Sequence, residues 1–130
     1  MALSEADQIE LQLLYARYTH SIDEFDAQGW LATWTEPATF DLGRAKYEGA
    51  TGLRRFLDSY SENGGHHRYR HYTTNIGFRE VDGRVIGRAY LMVLDKTTGA
   101  MTTTGYYDDV LVPTSAGWRF VQRVLVRDSW

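Results

Sequence analysis

"NGGHHRYRHYTTNIGF" (63–78) marks the point at which this chain changes character. Before it, apolar residues recur at helical spacing. Its opening, Asn63–His67, reads as a glycine-containing loop, and after about residue 68 the chain becomes β-rich to its end. Turn signals "VDGR" (81–84), "KTTGA" (96–100) and "PTSAGW" (113–118) cut that half into four strands, near 68–80, 84–95, 100–112 and 118–128. Short turns make consecutive strands antiparallel neighbours, and strands of this length must twist and curve.

Upstream, Ser4 and Asp7 form a capping-box pattern. Leu11, Leu14, Tyr15, Tyr18 and Ile22 then make one apolar stripe, predicting a helix over about 5–22. "DAQGWLATW" (26–34) predicts a second helix, with Asp26 as N-cap and Pro37 as its stop. "ATFDLG" (38–43) reads as a short strand. "TGLRRFLDSYSE" (51–62) reads as a third helix capped by Thr51, with Leu53, Phe56, Leu57 and Tyr60 on one side. Three helices segregated from an antiparallel sheet define an α+β class. One domain over 1–130 is expected, its strongly curved sheet wrapping the helices as a cone-shaped α+β barrel. Such a cone encloses a natural small-molecule cavity.

Composition narrows the chemistry. With 43% hydrophobic and 24% charged residues the mix is that of a globular domain. A net charge of −3 argues against nucleic acid or an anionic membrane as partner, the short run "HHRYRH" (66–71) notwithstanding. The absence of cysteine rules out thiolate nucleophiles and cysteine-ligated metals. No apolar run approaches the roughly 20 residues that span a bilayer. "MALSEADQIE" lacks the basic and apolar regions of a signal peptide, so a cytoplasmic location is expected.

Along the first long strand, side-chain alternation puts Tyr69, His71, Thr73 and Asn75 on one face and Tyr72, Ile76 and Phe78 on the other, unless a bulge intervenes. The first face is too polar for plain core, and the second would be an exposed apolar face favouring self-association. Asp23 lies near a helix C-terminus, where the macrodipole disfavours negative charge, and reads either as a solvated turn residue or a cap for the following segment, or as a functional carboxylate. Tyr18, on the apolar stripe, is equally a core ring or a functional hydroxyl. His71 alone reads as structural as readily as catalytic, and His20 points away from the stripe. His66 and His67 could approach a metal with His71, but no carboxylate stands at ligand spacing, and no metal site is expected. No GxSxG, Walker, HExxH or GxGxxG pattern occurs.

Taken together, a first helix ending in Tyr-x4-Asp, then "GW…W" with a short strand, a third helix, and "RHYTTN" opening a four-stranded meander resemble the SnoaL-like branch of the nuclear transport factor 2-like superfamily. The likeness covers nearly the whole chain and is strongest to scytalone dehydratase, bile-acid 7α-dehydratase and lindane dehydrochlorinase. It implies a dyad of Asp23 and His71, 48 residues apart, in which histidine takes a proton from carbon. It implies that Tyr18 hydrogen-bonds the substrate. The dehydrochlorinase has lysine there, so this chain leans toward dehydration or isomerisation. By the same likeness Arg127, or Arg123 on the same strand face, would hold an anion, and Phe40 would wall the pocket. Tyr15 and Asn75 are further substrate-binding candidates.

The implied activity is that of a cofactor-free lyase or isomerase acting on a hydrophobic, ring-containing polyketide, steroid or terpenoid. A SnoaL-type polyketide cyclase, or another ring-forming enzyme, would use the same pocket. Other readings are a non-catalytic binding or dimerising module and, last, the small subunit of a ring-hydroxylating dioxygenase. A homo-oligomer, trimer or dimer, is expected by the same resemblance.

Overall fold

The computed structural model describes residues 2–129. Helix α1 (Glu5–Asp23) starts at the capping box: Ser4 Oγ accepts from the Asp7 amide at 3.0 Å, and the Asp7 carboxylate accepts from the Ser4 amide at 3.3 Å. Its stripe of Leu11, Leu14, Tyr15, Tyr18 and Ile22 is buried. Helix α2 (Ala27–Leu31) is capped by Asp26, whose side chain accepts from the Gly29 amide. It is shorter than expected, because the chain leaves the helix at Thr33. There the Thr33 hydroxyl turns back to the Trp30 carbonyl, and the Thr33 carbonyl accepts from the Phe120 amide in the sheet. Pro37 therefore does not end a helix. It lies inside strand β1 (Trp34–Asp41), which begins four residues before the expected short strand.

A three-residue strand, β2 (Lys46–Glu48), was not anticipated. It runs directly into α3 (Gly49–Glu62), which starts before Thr51 and has no side-chain cap. The corner depends on Gly49, held at φ +67°, where any other residue would be strained. The glycine loop is also partly ordered, as the short helix α4 (Gly65–Arg68). Strands β3 (Tyr69–Val81), β4 (Arg84–Asp95), β5 (Met101–Thr114) and β6 (Gly117–Arg127) form the expected antiparallel meander. The full sheet has six strands in the order β2-β1-β6-β5-β4-β3, with β1 and β6 parallel. Helix α1 packs against β3 and β6, and α3 against β1 and β2, so helices fill the hollow of a curved sheet.

Strand β3 departs from simple alternation. Its register with β4 shifts between Thr74 and Gly77, and Asn75 sits in the left-handed region at φ +53°. Before this bulge Tyr69, His71 and Thr73 face inward. After it Ile76 and Phe78 also turn inward, and Phe78 meets the Tyr15 ring edge-on at 5.4 Å. The expected exposed face of Tyr72, Ile76 and Phe78 therefore does not form. Of the three only Tyr72 is exposed, and Asn75 points to solvent.

Beneath α1 the core holds a charge. Arg123 is 1% exposed and pairs bidentately with Asp109, Nε to Oδ1 and one terminal nitrogen to Oδ2, each at 2.8 Å. The Tyr15 hydroxyl donates to the same carboxylate. Rings of Tyr107, Tyr18, Phe120 and Tyr15 enclose the guanidinium at 3.7 to 5.0 Å. Removing one partner strands a buried charge, whereas removing both leaves no charge behind, only the Tyr15 hydroxyl without its acceptor. Asp109→Ala is therefore expected to cost about 3–5 kcal/mol in urea denaturation. The double variant Asp109→Leu/Arg123→Met should cost less than the Asp109→Ala single, and additive losses would contradict this account.

Candidate active site

The open end of the cone is a cavity of about 380 Å³, within the range of small-molecule sites. Tyr18 and Ile22 of α1 form its floor, Phe40 of β1, Leu42 of the turn after it and Phe56 and Tyr60 of α3 one side, and inward residues of β3 to β6 the other. Phe40 and Phe56 meet edge-to-face at 5.0 Å, so this wall is aromatic and rigid.

Two elements distant in sequence supply the reactive pair. Asp23 is the last residue of α1, and His71 is the third residue of β3. His71 Nδ1 lies 2.6 Å from Asp23 Oδ1, and the His71 amide donates to the same carboxylate, 3.1 Å from Oδ2. Each side chain is 15% exposed. An imidazole whose Nδ1–H is held by a carboxylate has a bare Nε2, the nitrogen that can act as base. The His71 ring borders the cavity.

Tyr18 lies on the cavity floor, and burial raises its phenol pKa, an effect partly offset by the Arg123 charge behind it. It stays protonated, a donor rather than an acceptor of protons. Phe40 lines the cavity, as does Arg127, whose guanidinium donates to the Leu42 carbonyl. The other expected contacts lie elsewhere. Arg123 is sealed by Asp109 and four rings, Tyr15 belongs to that buried cluster, and Asn75 is turned outward by the bulge. Of Arg123 and Arg127 on β6, Arg127 is the one that reaches the cavity.

Tyr60 is a cavity residue not singled out from the sequence except as part of an apolar helix side. Its hydroxyl is enclosed and has no hydrogen-bond partner in the protein. Its ring centroid is 6.4 Å from that of His71, and its pKa is raised by burial first and by the Asp23 charge next. The ring stacks on Phe56 and lies flat on Gly65, where a Cβ would fall 2.5 Å from Cε2. The sequence signal for this was the glycine pair following Tyr60. Among the described residues no group of His, Asp and Glu is arranged to hold a metal; His66 instead stacks on Phe25 and His67.

Solved structures share this architecture. A Nostoc punctiforme protein of unknown function with a cystatin-like fold superposes with a TM-score of 0.87 at 21% identity, covering 98% of this chain and 96% of that one. Aln2 from a Streptomyces species superposes with a TM-score of 0.84 at 26% identity, covering 98% and 95%. A Novosphingobium aromaticivorans protein assigned as a scytalone dehydratase superposes with a TM-score of 0.80 at 15% identity, covering 95% and 85%, a likeness of fold. No curated protein sequence matches the chain. The model of the SnoaL-like domain matches residues 5–124, nearly the whole chain from α1 into β6, and the protein therefore belongs to the SnoaL-like domain family.

Proposed function

We propose that this protein is a cofactor-free lyase or isomerase in which His71 removes a proton from carbon next to a carbonyl. The observation that carries the reading is the 2.6 Å contact between His71 and Asp23 at the wall of a cavity large enough for a guest. Membership of a family that includes dehydratases and cyclases supports it.

The chemistry follows from the residues. His71 Nε2 takes the α-proton, and the electron pair moves onto the carbonyl oxygen as an enolate. The Asp23 carboxylate stabilises the imidazolium so formed and fixes its orientation. Tyr18 and Tyr60, both kept protonated by burial, donate hydrogen bonds where the oxygen gains charge. The enolate then expels a β-hydroxyl group, which takes the proton back from His71 and leaves as water. Without such a group, His71 returns the proton to a different carbon, and the double bond moves. A ring-containing hydrophobic substrate suits walls built from Phe40, Phe56, Leu91 and Leu125. Ring closure, the alternative use of such a pocket, can begin with the same proton removal.

Exchange of α-protons for deuterium isolates that first step from whatever follows it. Incubated in D2O with 1-tetralone and 6-carboxy-1-tetralone, the protein should catalyse exchange, read by NMR. His71→Ala and Asp23→Asn should each slow it by about 100-fold or more while leaving circular dichroism unchanged. Undiminished exchange in either variant would end the dyad proposal.

The Tyr60 hydroxyl gives a second expectation. Because it has no protein partner, Tyr60→Phe should not destabilise the fold, and relief of an unpaired buried group could raise stability by up to about 1 kcal/mol. The same change should slow exchange by about 10-fold or more. Lower thermal stability with unaltered exchange would mark Tyr60 as a packing residue only.

A further inference from the structure

The cavity is electrically one-sided. Two arginines line it, Arg44 and Arg127, and among the described residues no acidic side chain does. Neither guanidinium has a carboxylate within ion-pair distance among the described residues, although Arg123 two pleats away on the same strand is fully paired. Arg127 is half-buried, and its pKa is lowered by burial first and by the charge of Arg44 next. A partly desolvated cation facing a second cation is costly unless something negative joins it.

The pair is also held in place. The Arg127 guanidinium donates to the Leu42 carbonyl. That carbonyl belongs to the turn between β1 and β2, closed by the Leu42 amide donating to the Ala45 carbonyl at 2.8 Å. Arg44 is a central residue of this turn, so one contact ties the end of β6 to the loop that presents the second cation. His71, by contrast, is on β3, three strand steps from β6 in the sheet order. At about 4.8 Å per step, the two positions are roughly 14 Å apart along the sheet surface, and nearer across its curve.

We infer that the substrate carries an anionic group, in its simplest form a carboxylate, seated between Arg44 and Arg127 on the wall of the cavity opposite His71. The seat would receive this group by charge-assisted bonds to two planar guanidinium groups, the geometry suited to a carboxylate. That the seated group places the reacting carbon against His71 rests on the proton-transfer reading above; the anion seat itself does not.

Binding of an isosteric pair of probes, 2-naphthoate and 2-naphthamide, tests this by isothermal titration calorimetry without any turnover. The wild-type protein should bind the carboxylate at least about 10-fold tighter than the amide, with the difference shrinking as salt is added. Arg44→Gln and Arg127→Gln should each narrow the difference, the double variant should abolish it, and His71→Ala should keep it. Arg44 is exposed on its turn, so Arg44→Gln keeps the test decisive should Arg127→Gln fail to fold. Equal affinities in the wild type, no binding of either probe up to millimolar concentration, or a preference surviving in the double variant would overturn the inference. A carboxylate preference without ketone exchange would leave the anion seat standing and remove the proton-transfer reading; exchange without the preference would do the reverse.

Discussion

A carboxylate at the C-terminal end of a 19-residue helix sits against the negative pole of the helix dipole. Asp23 is held there because β3 offers it two donors at once, the amide and the Nδ1 of His71. β3 is the last strand of the sheet, so the backbone groups on its free edge have no ladder partner. One of those groups, the His71 amide, is covered by Asp23. The contact therefore joins α1 to the sheet edge, satisfies an edge donor and fixes the imidazole ring, and the wall of the cavity beside His71 depends on it.

Arg123 and Arg127 show how one face of β6 can hold opposite solutions to the same problem. Arg123 is directly opposite Asp109 on β5 and is enclosed by four rings. Its charge is spent inside the core. Arg127 lies two pleats further on, at the cavity, where its guanidinium donates to the Leu42 carbonyl and feels the charge of Arg44. The first makes a floor for the cavity by backing Tyr18; the second leaves positive charge inside it. The aromatic walls between these positions provide the desolvated surroundings in which both charges act strongly.

Much of this was legible in the sequence because local signals and global fold agree. The capping box at Ser4 and Asp7, the stripe from Leu11 to Ile22 and the three turn motifs predict α1 and the meander closely. That Tyr18, Asp23 and His71 belong to one site was implied by the family resemblance; helix period and strand alternation up to Thr73 placed only Tyr18 and His71 on inward faces. What was not legible depends on tertiary contacts. The bulge at Asn75 reverses the alternation that had put Asn75 in the pocket and Ile76 and Phe78 outside it. The pairing of the Thr33 carbonyl with Phe120 shortens α2, and the pairing of β2 with β1 draws Gly49 and Ala50 into α3 ahead of Thr51. The difference between Arg123 and Arg127 lies in Asp109, a partner fourteen residues away that no local pattern announces.

The central claim, that Asp23 holds His71 with a bare Nε2 toward the cavity, is tested most directly by 15N NMR of the imidazole ring at a pH where the ring is neutral. The account predicts that Nδ1 carries the proton and Nε2 gives the shift of an unprotonated ring nitrogen, and that Asp23→Asn disturbs this pattern. A ring protonated at Nε2 in the wild-type protein, or a tautomer indifferent to Asp23→Asn, would contradict it.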